Sequence, residues 1–479
     1  MKHILYIASE CAPYIKSGGL GDVLGALPKY VVREGVRASV LVPLYRQIDA
    51  SCRKEMSFLG SKTVQLSWRK QYAGLYKLQR QGVTYYFVDN EYYFGREALY
   101  GQHDDGERFA FFSKAALELL PLMDPFPDLL HCNDWQTALV PVYLKTLYRE
   151  REGYRNLPVV FTIHNIEYQG KFDHFMLADV LGIPEAYRSL LDLHGALNYM
   201  KGAIVSCDAL TTVSPTYARE IRYPYFGQGL EHIIGENEYK LTGILNGIDT
   251  ECYDPGTDPH LAVNYTAEDM APKRRNKQAL SDELGLRFDE NTPMLGMVTR
   301  LVAHKGPDLL MGVFEDMMAL DLTLAILGTG DAKYENWLRE SAKRYPEKFN
   351  IVTAFSPGLA SRIYGGADFF LMPSVSEPCG LAQMIALRYG TIPIVRNTGG
   401  LADTVQAFSP AAGSGNGITF ETVNAHDMLD AVRRGLAYYK DPTLRKKLTA
   451  NALAGDYSWR KSAGDYIALY DRLTGRGTA

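Results

Sequence analysis

Along most of the chain, short apolar runs alternate with longer stretches whose apolar positions recur at helical spacing. This is the pattern of repeated strand–helix–strand units and a mainly parallel sheet. His3–Ala8 reads as a buried strand, Leu20–Glu34 as a helix and Ala38–Val42 as the next strand, so the chain opens on one such unit. Thr84–Val88, Leu129–His131, Val159–Ile163, Ala209–Val213 and Thr242–Ile244 continue the series. A second series begins at Met294 with MLGMVTR and runs on through LTLAILGTG, NIVTAF, DFFLMPS and IPIVRN. Between the two lies Asn246–Lys273, rich in Pro, Gly, Asp and Tyr and without periodicity, which reads as a connection between domains. The pattern predicts an α/β protein with a boundary near residue 247.

Composition narrows the class. A chain of 479 residues allows roughly two to four domains at about 150 residues each. Hydrophobic residues at 46% and charged residues at 22% suit ordinary buried cores, and a net charge of −4 offers no global excess of Lys and Arg for nucleic acid or an anionic membrane. The six cysteines are scattered without a CxxC pair, so neither a zinc site nor a disulfide framework is indicated and a reducing compartment fits. The apolar stretch in MKHILYIASE is too short for a signal-peptide core, and no apolar run is long enough to span a bilayer, so the expected location is cytoplasmic.

The candidate chemistry gathers where predicted strands end, which is where ligands collect on open α/β sheets. Ser17-Gly18-Gly19-Leu20-Gly21-Asp22 is echoed by Thr398-Gly399-Gly400-Leu401-Ala402-Asp403, each following a strand and opening a helical pattern. Such loops let backbone approach a ligand, and a helix N-terminus favours anions, although each also reads as a tight strand-to-helix turn. Glu377, in PSVSEPCGL, lies on another such loop, as a site carboxylate or as a helix cap. Arg300 and Lys305 follow one strand and suit a diphosphate, Arg by its fork and Lys as a point charge. His164 and Asp134 end two strands of the first half. No Asp-x-Asp pair, His/Cys ligand spacing or Gly-x-Ser-x-Gly elbow occurs, so metal and serine-hydrolase chemistry are not indicated.

Taken in order, KSGGLGDV at Lys16, NDWQ at Asn133, TIHN at Thr162, VSPTY at Val213, NGID at Asn246, Arg300-Leu301 with Lys305-Gly306, EPCGL at Glu377 and TGGL at Thr398 form a set that closely resembles the bacterial glycogen synthases and the catalytic core of plant starch synthases. The resemblance runs from the first strand to Tyr457-Ser458-Trp459. It implies a GT-B architecture, two Rossmann-like domains facing across a cleft, with the C-terminal segment crossing back to the first. The implied domains are 1–246 on the glucan acceptor side, 247–455 for the sugar nucleotide, and 456–479 as the returning helix. It further implies transfer of glucose from ADP-glucose to the non-reducing 4-hydroxyl of an α-1,4-glucan such as glycogen, with retention and without metal or other cofactor.

Carried over residue by residue, the resemblance sets Lys16, Gly18 and Gly19 beside the phosphates. Arg300 and Lys305 hold the diphosphate, and Glu377 steadies charge on the sugar. Cys379, Gly380, Leu381, Thr398 and Gly399 contact sugar and phosphate, and Phe355 stacks on adenine. His164 contacts the glucose, with Asp134 nearby. Four positions depart from the family pattern. Ile385 stands where the wider superfamily has a second Glu, Phe355 where many relatives have Tyr, Ser376 in place of an aromatic and Val375 in place of Arg. A sucrose or trehalose-phosphate synthase, a phosphorylase using pyridoxal phosphate and an inactive glucan-binding protein remain as alternatives. KSGGL and EPCGL favour the glycogen synthase reading over them.

Overall fold

The computed structural model describes residues 2–475. Met1 and residues 476–479, which the expected domains include, lie outside the described residues. The chain divides into two compact units, one running to Asn246 and taken up again from Trp459, the other spanning Gly247–Ser458.

The first unit is built on a nine-stranded sheet. Its strands are β1 (His3–Ile7), β2 (Arg37–Pro43), β3 (Ser57–Leu66), β4 (Arg69–Arg80), β5 (Val83–Asp89), β6 (Leu129–Asn133), β7 (Val159–Ile163), β11 (Ala209–Thr212) and β12 (Leu241–Gly243). A small three-stranded sheet of β8 (Lys171–Phe172), β9 (Asp192–Leu193) and β10 (Ala196–Asn198) is set apart from it. The large sheet runs in the order β12-β11-β7-β6-β1-β2-β5-β4-β3. All of its pairings are parallel except β5 with β4 and β4 with β3. β1, β6 and β7 are buried along their whole length, which explains why they read as continuous apolar runs rather than alternating ones.

The β3–β4 hairpin has no counterpart in the sequence reading. Seven of the ten β3 residues are exposed, and SFLGSKTVQL carries neither an apolar run nor a Gly-containing two-residue turn. The turn is made at Ser67, which takes a positive φ of 51° without being glycine.

The second unit has a wholly parallel six-stranded sheet in the order β15-β14-β13-β16-β17-β18. The strands are β13 (Met294–Val298), β14 (Thr323–Leu327), β15 (Phe349–Val352), β16 (Phe369–Met372), β17 (Ile392–Arg396) and β18 (Ile418–Phe420). One apolar core, including Leu295, Phe314, Leu324, Leu371, Ile394 and Val432, fills the space between sheet and helices. The segment following Gly247, read as a connection, is stitched into this unit. Tyr389 donates to the Asp258 carboxylate at 2.6 Å, and Tyr265 donates to the Tyr389 carbonyl at 2.8 Å.

The helix Trp459–Leu473 returns to the first unit. Its Trp459, Tyr466 and Tyr470 are buried there. Tyr470 lies 2.8 Å from His131 Nδ1 and 3.0 Å from the Tyr6 hydroxyl, and His131 Nε2 lies 2.6 Å from Thr162 Oγ1. A buried polar chain thus ties the last helix to β1, β6 and β7.

Candidate active site

Each unit brings its sequence-predicted residues together at the carboxyl ends of its parallel strands, as the βαβ connection requires. In the first unit, Glu10 follows β1 with 3% of its surface exposed. Its carboxylate accepts from the Ser17 amide at 2.5 Å, the Ser17 hydroxyl at 2.7 Å, the Gly18 amide at 3.1 Å and the Tyr100 hydroxyl at 2.6 Å. Lys16 pairs with Asp22 at 2.6 Å across the start of the helix Gly19–Arg33. The Gly18 amide, expected beside the phosphates, therefore already serves a carboxylate of the protein, as does the Ser17 amide. Lys16 and the first turn of the helix remain as the cationic and dipolar face of this loop.

Asp134 and His164 sit on neighbouring strand ends because β6 and β7 pair in register. Asp134 adopts φ 57° and ψ 178°, a conformation that costs a non-glycine residue on the order of 1–3 kcal/mol and that accumulates at functional sites. Its Oδ1 accepts from the His164 amide at 2.7 Å and the Asn165 amide at 3.4 Å. Burial pushes its carboxyl up to about 7, against the opposing effect of those two amides. Burial likewise lowers the His164 ring to about 3, so it is neutral at ordinary pH. The ring Nε2 lies 2.9 Å from Asn133 Oδ1.

In the second unit Glu377 follows β16 with 5% of its surface exposed. Its Oε2 takes the Lys305 ammonium at 2.6 Å and the Ser374 hydroxyl at 3.0 Å, and Oε1 has no partner among the described residues. The capping role that the sequence left open is absent, since the next helix, Ala382–Arg388, starts from Leu381 with no side-chain cap. Arg300 is exposed just beyond β13. Phe355, after β15, is 78% exposed, an apolar ring largely open to solvent.

Cys379, Gly380 and Leu381 form the turn after Glu377, and Gly399 and Gly400 press against it. The Gly400 amide donates to the carbonyls of Glu377 at 3.1 Å and Pro378 at 3.2 Å. Thr398 precedes the short helix Gly399–Thr404 and is buried. Among the described residues no group of three or more His, Cys, Asp or Glu could hold a metal ion.

Four residues of this framework were not singled out in the sequence. Glu10 carries no motif signal, and Asn133 and Ser374 lie inside the quoted motifs NDWQ and PSVSEPCGL without a role of their own, which shows only in the partners their side chains meet. Arg396 pins the Glu377 loop by donating to the carbonyls of Ser374 at 2.8 Å, Val375 at 2.6 Å and Glu421 at 3.2 Å. Its position at the end of an apolar strand, IPIVR, was the one available clue.

Residues 3–236 match the family model described as the starch synthase catalytic domain, and residues 282–454 match that of glycosyl transferases group 1. The chain is 48% identical to a glycogen synthase of Geobacillus thermodenitrificans over 98% of its own length and 97% of the other. It is 46% identical to a glycogen synthase of Alkaliphilus metalliredigens over 98% and 99%. Among solved structures, the catalytic domain of starch synthase IV from Arabidopsis thaliana bound to ADP and acarbose superposes with a TM-score of 0.93 at 33% identity, covering 99% of this chain and all of that one. Sucrose-phosphate synthase from Thermosynechococcus elongatus shares the fold at a TM-score of 0.64 and 16% identity, over the full length of both chains. With two α/β units of the GT-B class and full-length relatives of this kind, the chain belongs to the glycogen synthase family of glucosyltransferases.

Proposed function

We propose that the protein transfers glucose from ADP-glucose to the non-reducing 4-hydroxyl of an α-1,4-glucan, with retention of configuration. The observation that carries this reading is the Glu377–Lys305 pair, a nearly buried carboxylate and ammonium 2.6 Å apart at one strand end. Breaking the bond between C1 of glucose and the phosphate oxygen builds positive charge on the sugar and negative charge on the departing diphosphate. A carboxylate and a cation fixed side by side meet both without reorganising. The acceptor hydroxyl forms the new bond to C1, and its proton leaves with ADP.

Arg300 and Lys305 are the proposed diphosphate ligands of the second unit, with the backbone of Cys379–Leu381 and Thr398–Gly399 close to the sugar and Phe355 against the adenine. In the first unit Lys16, beside Gly18 and Gly19, is the proposed phosphate ligand, and His164 with Asp134 the proposed sugar contact. The ADP and acarbose bound by the Arabidopsis domain support a nucleoside diphosphate and an oligosaccharide as the ligand classes. All six cysteines are free thiols, which supports a reducing, cytoplasmic location.

The test is nucleotide release with glycogen as acceptor, run with ADP-glucose and UDP-glucose. ADP-glucose should be the better donor, and a tenfold preference for UDP-glucose, about 1.4 kcal/mol in the transition state, would overturn the assignment. Glu377→Ala should lose about a hundredfold in turnover, on the order of 3 kcal/mol, while ADP still binds.

A further inference from the structure

Asn133 closes β6, is 2% exposed and entered the sequence argument only as the first residue of NDWQ, with no role assigned. Its backbone is locked from both sides, the amide donating to Thr137 Oγ1 at 2.7 Å and the carbonyl accepting from the same hydroxyl at 2.9 Å. Its carboxamide is oriented without ambiguity. Nδ2 faces the carbonyl oxygens of Ile7 and His131, each at 3.1 Å, and carbonyls only accept, so the NH2 group must lie on that side. A flipped amide would set its oxygen against two carbonyl oxygens. Oδ1 is thereby aimed at His164 Nε2, 2.9 Å away.

An amide oxygen only accepts, so the proton of that contact resides on Nε2. Burial keeps the ring neutral, and Nδ1 is left as a bare lone pair with no partner among the described residues. The neighbouring Asp134 fixes the other end of the same residue by accepting from the His164 amide at 2.7 Å. Two consecutive residues, the last of β6 and the one after it, therefore set the ring and the backbone of His164 independently.

We propose that Asn133 is a positioning residue that holds His164 as the Nε2–H tautomer, so that the ring meets the sugar as a hydrogen-bond acceptor at Nδ1. In this arrangement a glucose hydroxyl donates to His164, and the ring offers the sugar no N–H. The tautomer follows from the first unit alone, whereas its use toward glucose rests on the reading of His164 given above.

Histidine-selective nitrogen labelling of the full chain tests it, with His164→Ala to assign the signal. The wild-type His164 ring should show a protonated Nε2 and a bare Nδ1, unchanged from neutral to mildly acidic pH. Asn133→Ala should give a mixture of tautomers and cost about a hundredfold in kcat, the low end of what a positioned acid–base group contributes, with KM for ADP-glucose little changed. Asn133→Asp keeps an acceptor toward Nε2, but its second oxygen faces the Ile7 and His131 carbonyls and fits them only when it carries a proton. It should keep the tautomer and recover activity where that carboxyl is protonated, and lose activity as pH rises and it ionises.

An Nδ1–H ring in the wild type would overturn the proposal. So would an Asn133→Ala protein with a single Nε2–H tautomer and undiminished kcat. Wild-type turnover in His164→Ala would instead overturn the sugar contact and the reading beneath it, with the tautomer intact.

Discussion

Ser17-Gly18-Gly19-Leu20 and Thr398-Gly399-Gly400-Leu401 are nearly the same sequence at the same place in two α/β units, yet the glycines are there for different reasons. In the second unit they are demanded by packing. Gly399 has φ 48°, a side chain there would begin 1.9 Å from the Glu377 carbonyl oxygen, and one on Gly400 would begin 2.1 Å from the Cys379 carbonyl oxygen. In the first unit Gly18 is extended, with φ −155°, and a Cβ would meet nothing within 4 Å. There the loop is held by a side chain, Glu10, instead of by neighbouring backbone. One loop is a buttress for the turn that follows Glu377. The other is a surface kept bare by a carboxylate behind it.

Breaking the buttress should have the largest effect. Gly400→Ala forces a methyl onto the backbone of Cys379, which cannot yield as a flexible side chain would, and should cost on the order of 3 kcal/mol. Thermal unfolding should show the loss, and turnover should fall as well because the displaced turn carries Glu377. A variant with wild-type melting would refute the packing account.

Removing the carboxylate comes next. Glu10→Ala leaves the amides of Ser17 and Gly18 without their acceptor, at a cost of about 1 kcal/mol because Ser17 is exposed and Gly18 half-buried, and should raise KM for the donor more than it lowers kcat. An unchanged KM would detach the loop from donor binding.

A further test sharpens the same contrast through pH. Burial holds the Asp134 carboxyl up at about 7, and the nearby Glu10 charge adds to the rise. The folded protein thus binds this proton more tightly than the unfolded chain does. The contribution to stability is complete in acid, declines as pH rises from the ordinary carboxylate value to about 7, and is level beyond. Measured by urea unfolding, the stability of the wild type relative to Asp134→Asn should therefore fall across that window, and Glu10→Gln should move its upper end down. A difference independent of pH would mean that Asp134 is ionised throughout.

The smallest stability change belongs to Gly18→Ala, within about 0.5 kcal/mol because the methyl enters open space. If the loop lies against a nucleotide, the same methyl should nonetheless weaken ADP-glucose binding.

How far the sequence was legible follows the same division. Strands buried on both faces announce themselves as apolar runs, so β1, β6, β7 and five of the six strands of the second unit were found where they lie, while the three-residue edge strand β18 was not. Strand ends then located Asp134, His164, Arg300 and Glu377. The β3–β4 hairpin was missed because its outer strand is largely solvated and shows no apolar signal. Glu10 and Asn133 were missed because their roles consist of hydrogen bonds to groups distant in the fold or hidden in backbone. The two glycine loops were seen as a pair, but which glycines are sterically compelled depends on the φ angles and on Glu377 and Cys379 lying behind one loop alone.

The return of Trp459–Leu473 to the first unit bears on how the protein is made. A ribosome releases the strands β1 to β12 first, but Tyr470, which completes the polar chain through His131, emerges only after roughly two hundred further residues. At about 5–20 residues per second that is on the order of ten to forty seconds in which the second unit can close its own core while the first still lacks a helix. Throughout that interval the apolar surface meant for Trp459 and Tyr466 stands uncovered on the nascent chain, so the first unit, though synthesised first, is the last to be finished.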